Sequence, residues 1–186
     1  MRIVAGKHRG RVLAAPRGLD TRPTAARARE ALFNILVHGD FGGDSPLDGA
    51  VVLDAFAGTG AFAFEALSRG AAFATLLDTD RAALAAAKSN AVALKETANV
   101  SLEPRDATRP GRASRAHTLV FLDPPYRKDL ATPSLIALAN NGWIESGALA
   151  IVEVGAREDF TAPDGFEAID ERTYGAAKFV LMRYHS

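Results

Sequence analysis

The 186-residue sequence contains no cysteine. That excludes a disulfide framework, a thiolate metal site and a cysteine nucleophile, and it suits a reducing compartment. Long apolar runs are missing too. Even the alanine-rich segments carry Arg, Asp or Lys, and no stretch approaches the roughly 18–20 apolar residues of a membrane-spanning helix. The opening Met1-Arg2-Ile3-Val4-Ala5-Gly6 lacks the apolar centre of a secretion signal, so a cytoplasmic chain without membrane attachment is expected. There is no internal repeat and no low-complexity tract. Of the four histidines, no pair has metal-ligand spacing with carboxylates, and no metal is expected. His8 is a candidate phosphate contact, whereas His38, His117 and His185 are expected at the surface.

Net charge is absent as well, with 22 basic and 22 acidic residues, but the charges are unevenly spread. Residues 1–30 hold Arg2, Lys7, Arg9, Arg11, Arg17, Arg22, Arg27 and Arg29 against Asp20 and Glu30. Such a basic segment points to a polyanionic partner, the alternative being a merely solvated tail.

The length suits one domain. Residues 2–13 alternate loosely around Gly6 and Gly10 and predict a short β-hairpin with its basic residues outward. After a loop punctuated by Pro16, Gly18 and Pro23, the spacing of Ala28, Ala31, Leu32, Ile35 and Leu36 predicts a helix. Apolar runs then follow at Val51–Phe56, Ala74–Leu77, Val100–Leu102, Thr118–Leu122 and Ala148–Val154. Helical segments at Ala61–Ser68, Arg81–Leu94 and Pro133–Asn140 lie between them. Near-continuous apolar strands alternating with helices imply a parallel sheet covered on both faces, hence an α/β fold. Glu167–Tyr174 and Lys178–Tyr184, joined by Gly175-Ala176-Ala177, predict an antiparallel hairpin closing the sheet. We divide the chain into a basic arm, residues 1–20, and one α/β domain, residues 21–186.

The first run leads into Asp54-Ala55-Phe56-Ala57-Gly58-Thr59-Gly60-Ala61 and then a helix. A glycine-rich turn there, at the carboxyl end of the first parallel strand, lets a ligand approach the backbone closely. A dinucleotide fingerprint would need a third glycine where Ala63 stands, and Asp54 would repel a pyrophosphate. An acid at that position suits a ligand with positive charge, such as a sulfonium or an α-amino group. Asp78, at the end of the second strand, is placed to accept ribose hydroxyls. Asp80 directly precedes a helix and is either a second ligand or the helix cap. Asp106, after the third strand, is a candidate for an adenine amino group, or else an exposed turn residue.

The fourth strand ends in Asp123-Pro124-Pro125-Tyr126. Two consecutive prolines fix their own φ angles and bias Asp123 to an extended conformation, which makes a stiff ledge after a buried strand. The Asp123 carboxylate and the Pro124 carbonyl would offer neighbouring acceptors for both hydrogens of an amino group, turning its nitrogen lone pair toward a methyl donor. Tyr126 offers a face on which a planar base can stack, worth roughly 1–3 kcal/mol in single-strand binders.

Taken together, these blocks resemble a class I S-adenosylmethionine-dependent methyltransferase of the D-P-P-Y, amino-methylating type. The resemblance runs the full length and is closest to the RsmD-like 16S ribosomal RNA guanine-N2 methyltransferases. Its selective parts are Met1-Arg2-Ile3-Val4-Ala5-Gly6-Lys7-His8-Arg9-Gly10-Arg11, Arg22-Pro23-Thr24 with Arg27, and Arg29-Glu30-Ala31-Leu32-Phe33-Asn34. It implies a Rossmann-like seven-stranded, mostly parallel sheet whose last strand is antiparallel, preceded by the small hairpin extension. It further implies methyl transfer to the 2-amino group of one guanine of 16S ribosomal RNA, by a monomer acting on the small subunit or an assembly intermediate. Asp123, Pro124, Pro125 and Tyr126 would be catalytic. Asp54, Phe56, Gly58, Gly60, Asp78, Asp106 and Thr24 would hold S-adenosylmethionine, and Arg2, Lys7, Arg9, Arg11, Arg22, Arg27 and Arg29 would hold RNA. A target base paired in a helix would have to be flipped out or already unpaired. The family pattern often has glutamate where this chain has Asp78; either carboxylate can hold a ribose. DNA adenine-N6 and protein-glutamine methyltransferases use a similar ledge, and a non-catalytic RNA-binding protein of this fold is the alternative outside enzymology.

Overall fold

Short apolar runs such as Val51–Ala55 and His117–Leu122 line up side by side because a sheet lets its central strands be buried on both faces, while the polar edge strand Phe166–Tyr174 stays largely exposed. A computed structural model describes residues 1–15, 23–43, 45–125 and 129–186, with side chains from residue 26 onward in the first helix. The strands are β1 Val51–Ala55, β2 Phe73–Leu77, β3 Val100–Glu103, β4 His117–Leu122, β5 Ile144–Gly155, β6 Phe166–Tyr174 and β7 Ala177–Tyr184. Their order is β3-β2-β1-β4-β5-β7-β6. Strands β1 to β5 pair in parallel, and β7 runs antiparallel to both β5 and β6. The expected closing hairpin is therefore present, and it inserts its second strand beside β5.

Alternation along the strands divides the apolar residues into two layers. Val52, Leu76, Phe121, Ile151 and Phe179 face helices α1 Pro23–His38, α2 Ala61–Ser68 and α3 Arg81–Leu94. Leu53, Leu122, Val152 and Met182 face α4 Ala131–Asn140 and Trp143. Pro133 lies in the first turn of α4, where a missing N–H leaves no intrahelical bond unmade. Among the described residues no helix is long and apolar enough to cross a membrane.

The N-terminal segment is bolted to the domain. The hairpin expected over residues 2–13 is present as one antiparallel bridge, Arg2 with Val12, closed by a turn. Ile3 and Leu13 enter the core at 1% and 3% exposure. Buried Glu65 of α2 accepts the N–H groups of Val4 and Ala5 at 2.9 and 3.1 Å and the Arg69 Nε at 2.8 Å. Hydrogen bonds to a charged group contribute about 1.5–3 kcal/mol each, so this carboxylate fixes the segment firmly. Ser68 adds its carbonyl, which accepts the Lys7 N–H at 2.8 Å, and its hydroxyl, which accepts the His8 N–H at 2.9 Å. Gly6 passes so close, at φ 78°, that a methyl group there would overlap the Ser68 carbonyl. The side chain of Asn90 pairs with Ala14, accepting its N–H at 2.7 Å and donating to its carbonyl at 3.1 Å. A freely solvated tail is thereby excluded for residues 1–14.

His117 departs from expectation. It is fully buried rather than at the surface, its ring stacked on Trp143 with centroids 5.8 Å apart. Its Nδ1 donates to the Trp143 carbonyl at 2.8 Å, which leaves Nε2, 2.9 Å from the Thr75 hydroxyl, as an acceptor in a neutral ring. Burial holds its pKa down at about 4. The unfolded chain therefore binds the extra proton first, between about pH 6.5 and 4, and stability falls with acidification across that window. Urea melts should show about 2 kcal/mol of this loss between pH 7 and pH 5, and His117→Gln should flatten it. An unchanged acid slope in the variant would contradict the assignment.

Candidate active site

Two adjacent strands carry the loops of chemical interest. β1 and β4 pair with Ala55 level with Leu122, at the point where the strand order reverses. Open α/β sheets bind ligands in the crevice that forms at such a point, beyond the carboxyl ends of the strands.

Asp54 ends 1% exposed, its Oδ2 accepting the Ala63 N–H of α2 at 3.0 Å. Burial pushes this carboxyl well above its usual range, and the charges of Asp123 and Asp78 push it further. A cation placed beside it would relieve that penalty. The following turn is left-handed at Phe56, Gly58 and Gly60, with φ of 67°, 54° and 83°. For Phe56 this conformation costs roughly 1–2 kcal/mol, strain of a kind that collects at functional sites.

The two glycines differ in what they do. A methyl on Gly60 would sit 2.6 Å from both the Leu76 Cδ2 and the Phe64 ring, so its first task is helix packing. A methyl on Gly58 would meet nothing within 4 Å. It would project into open space above the turn, which leaves room for a ligand against the bare backbone.

Asp78 is half-buried and holds this turn in shape. Its Oδ2 accepts the Gly58 N–H at 2.7 Å and its Oδ1 the Asp80 N–H at 2.8 Å. Since a carboxylate has about four acceptor sites, ribose hydroxyls still find room on it. Asp80 is the cap of α3, accepting from Ala82 and Ala83 at 2.8 and 3.3 Å, which decides between its two readings. Asp106 is exposed and closes its own turn, its Oδ1 taking both the N–H and the hydroxyl of Thr108 at 2.8 and 2.7 Å.

On the ledge, Asp123 is half-buried, Pro124 buried and Pro125 exposed. Burial, and after it the charge of Glu153 on β5, push the Asp123 carboxyl up to about 7. Tyr126 and Arg22 lie outside the described residues, as does the side chain of Thr24.

Arg2, Lys7, Arg9, Arg11 and Arg27 are exposed. Lys7 pairs with Glu96 at 2.6 Å, Arg2 donates to the Gly10 carbonyl at 2.5 Å, and Arg11 to the Ala93 carbonyl at 2.8 Å. His8, expected to reach phosphate, instead sets its Nε2 2.5 Å from Glu96. Arg29 has to be reassigned. At 5% exposure it offers no charge to a polyanion; it donates to the Met1 sulfur at 2.9 Å and the Arg2 carbonyl at 3.3 Å. Burial lowers its pKa, opposed by the carboxylates of Glu65, Asp54 and Glu153.

Sequence reasoning missed Glu153, Glu65 and Asn90. Glu153 and Glu65 had one visible signal, a polar residue interrupting an apolar run, as Glu153 does in Leu149-Ala150-Ile151-Val152-Glu153-Val154, whereas Asn90 follows Lys88 and Ser89 and had none. Asn90 also donates to the Thr59 carbonyl at 3.1 Å, which ties the N-terminal segment to the turn between Gly58 and Gly60.

The family model described as conserved hypothetical protein 95 matches residues 1–183. The Escherichia coli K12 protein named ribosomal RNA small subunit methyltransferase D is 35% identical over 184 residues, covering 98% of this chain and 89% of that one. A solved Escherichia coli structure, the proposed methyltransferase yhhF, superposes with a TM-score of 0.83 at 36% identity, covering 100% of this chain and 98% of that one. The fold alone is shared with magnesium protoporphyrin IX methyltransferase of Synechocystis, solved with bound S-adenosylmethionine, at a TM-score of 0.63 and 14% identity over 88% of this chain and 80% of that one.

The two glycines supply a direct test of the cradle. Gly58→Ala should abolish S-adenosylmethionine binding, by calorimetry, while lowering stability by about 1 kcal/mol for its left-handed backbone. Gly60→Ala should lose more stability than that through its clash with Leu76 and Phe64. Equal cofactor affinity in Gly58→Ala and the parent protein would show that the ligand lies elsewhere.

With its model matched almost end to end, its strand order that of the class I methyltransferases and a crevice suited to S-adenosylmethionine, the chain belongs to the RsmD-like family of S-adenosylmethionine-dependent methyltransferases.

Proposed function

We propose that this enzyme methylates the exocyclic N2 of one guanine in the 16S ribosomal RNA of the small subunit. The observation that carries the reading is the adjacency of cradle and ledge: Asp54 near the end of β1 and Asp123 just past the end of the paired β4 lie within electrostatic reach of each other. The Escherichia coli relative, by its name, modifies small-subunit ribosomal RNA.

S-adenosylmethionine supplies an activated methyl group on a sulfonium, so the protein's contribution is chiefly alignment. Asp54, Phe56, Gly58, Gly60 and Asp78 hold the cofactor, with Asp106 and Thr24 at its margin. The Asp123 carboxylate and the Pro124 carbonyl accept the two amino hydrogens of guanine, which directs the nitrogen lone pair at the methyl carbon. As nitrogen gains the methyl and positive charge, Asp123 stabilises that charge and takes the departing proton. Tyr126 stacks on the flipped base, and Pro125 keeps the ledge rigid. Residues 1–20 serve as a basic arm whose Arg2, Lys7, Arg9 and Arg11 hold phosphates, joined by Arg22 and Arg27 at the start of the 21–186 domain that does the chemistry. We place the enzyme in the cytoplasm as a monomer, acting on the subunit or an assembly intermediate.

Methyl transfer from labelled cofactor to 30S subunits, naked 16S RNA, DNA and peptide tests the substrate. Label should enter RNA, and its absence from every RNA would refute the reading. Asp123→Ala should reduce transfer about a hundredfold or more while leaving cofactor affinity within a few-fold. Asp78→Ala should mainly weaken cofactor binding. Because the raised carboxyl becomes an acceptor only when ionised, single-turnover rates should rise through about pH 7 and then level off. A flat profile from pH 6 to 8 would remove Asp123 from the proton's path. Replacing Arg9 and Arg11 together with alanine should lower the log–log salt slope of RNA binding by about 1–2. An unchanged slope would take the arm out of the interface.

A further inference from the structure

The ledge has a neighbour that the reaction as described does not use. Leu122 of β4 is level with Val152 of β5, so the next residues along each strand are Asp123 and Glu153. Leu149 and Ile151 face the α1–α3 layer, and Glu153, two residues on from Ile151, continues that row; Asp123 likewise continues the row of Leu119 and Phe121. Parallel strands lie about 4.8 Å apart, which sets the two carboxylates side by side. Glu153 is 9% exposed and lines the recess bounded by Pro124 and Pro125. Beneath it lie the rings of Phe62, Phe121 and Phe179. An apolar floor of this kind makes an ionised group costly unless charge or hydrogen-bond donors face it. Arg29 lies within electrostatic reach, and a donor-rich substrate edge would add to it.

Resting on the N2 reading above, we propose that Glu153 selects guanine by accepting its N1–H while the ledge holds the adjacent N2 amino group. Guanine presents N1–H and N2–H₂ as neighbouring donors, and two neighbouring carboxylates match that edge. Adenine presents a bare N1 beside its amino group, and its lone pair would face the Glu153 carboxylate. Sites built to bond a particular substrate N–H reject analogues lacking it strongly, since the buried acceptor is left unpaired. Glu153 also engages a neighbour within the protein, and a carboxylate's four or so acceptor sites accommodate both.

The test replaces the modified guanine, in the RNA the enzyme methylates, with 2,6-diaminopurine, which keeps the 2-amino group but has no hydrogen on N1. The parent enzyme should prefer guanine by about a hundredfold in kcat/KM. Glu153→Gln, whose amide can donate to a bare N1, should narrow that preference to about tenfold or less, with cofactor affinity and Tm unchanged. A structural role for Glu153 would lower both substrates alike. Equal use of the two bases by the parent enzyme, or the same preference in Glu153→Gln, would overturn the proposal while leaving N2 methylation standing. Failure of the parent enzyme to methylate guanine in any RNA would overturn both.

Discussion

Acidic side chains crowd the carboxyl ends of three adjacent strands on one face of the sheet, in a region that burial has largely dried. Burial and the charge of Asp123 raise the proton affinity of Asp54, burial and the charge of Glu153 raise that of Asp123, and the buried guanidinium of Arg29 lies within reach of Asp54 and Glu153. Like charges in low dielectric are tolerable where a counter-charge is fixed nearby. Arg29 is fixed by α1 and by the first two residues of the chain, so the position of the N-terminal segment and the electrostatics of the crevice are one problem. A cationic cofactor and a donor-rich base edge are the ligands that such a crevice favours.

That coupling explains why so many polar groups are spent on residues 1–14. Glu65, Ser68, Asn90 and Glu96 come from α2, α3 and the turn after it, and each grips the arm. Asn90 grips the cofactor turn as well, through the Thr59 carbonyl. Basic side chains on Arg9 and Arg11 are thus presented from a rigid platform whose reference points are the same helices that form the cradle. Under the proposed function, a fixed offset between these side chains and the reacting centre would serve as alignment.

Much of this was legible in the sequence. Near-continuous apolar strands such as Leu119–Leu122 gave the parallel sheet, and Gly175 marked the closing hairpin. The Asp54–Gly60 turn and the Asp123–Pro125 ledge announced themselves because glycine and proline constrain the backbone locally. What stayed hidden depended on tertiary partners. Arg29 looks like its exposed neighbour Arg27 until the fold brings Met1 and three carboxylates around it. His117 reads as a polar strand start until Trp143 and Thr75 enclose it. Gly60 and Gly58 are equivalent in a motif, and Leu76 and Phe64 make them different. Glu153 is a single acid in an apolar run, and the β4–β5 register brings it beside the ledge.

Under the proposed function, this chain places a methyl group on N2 of one small-subunit guanine. Nucleoside and oligonucleotide mass spectrometry of ribosomal RNA, from cells with and without the protein, tests it most directly. N2-methylguanine should vanish from one position of 16S RNA when the protein is absent and return when it is re-expressed. Unaltered 16S methylation in its absence, or loss of a mark on another atom, would contradict it.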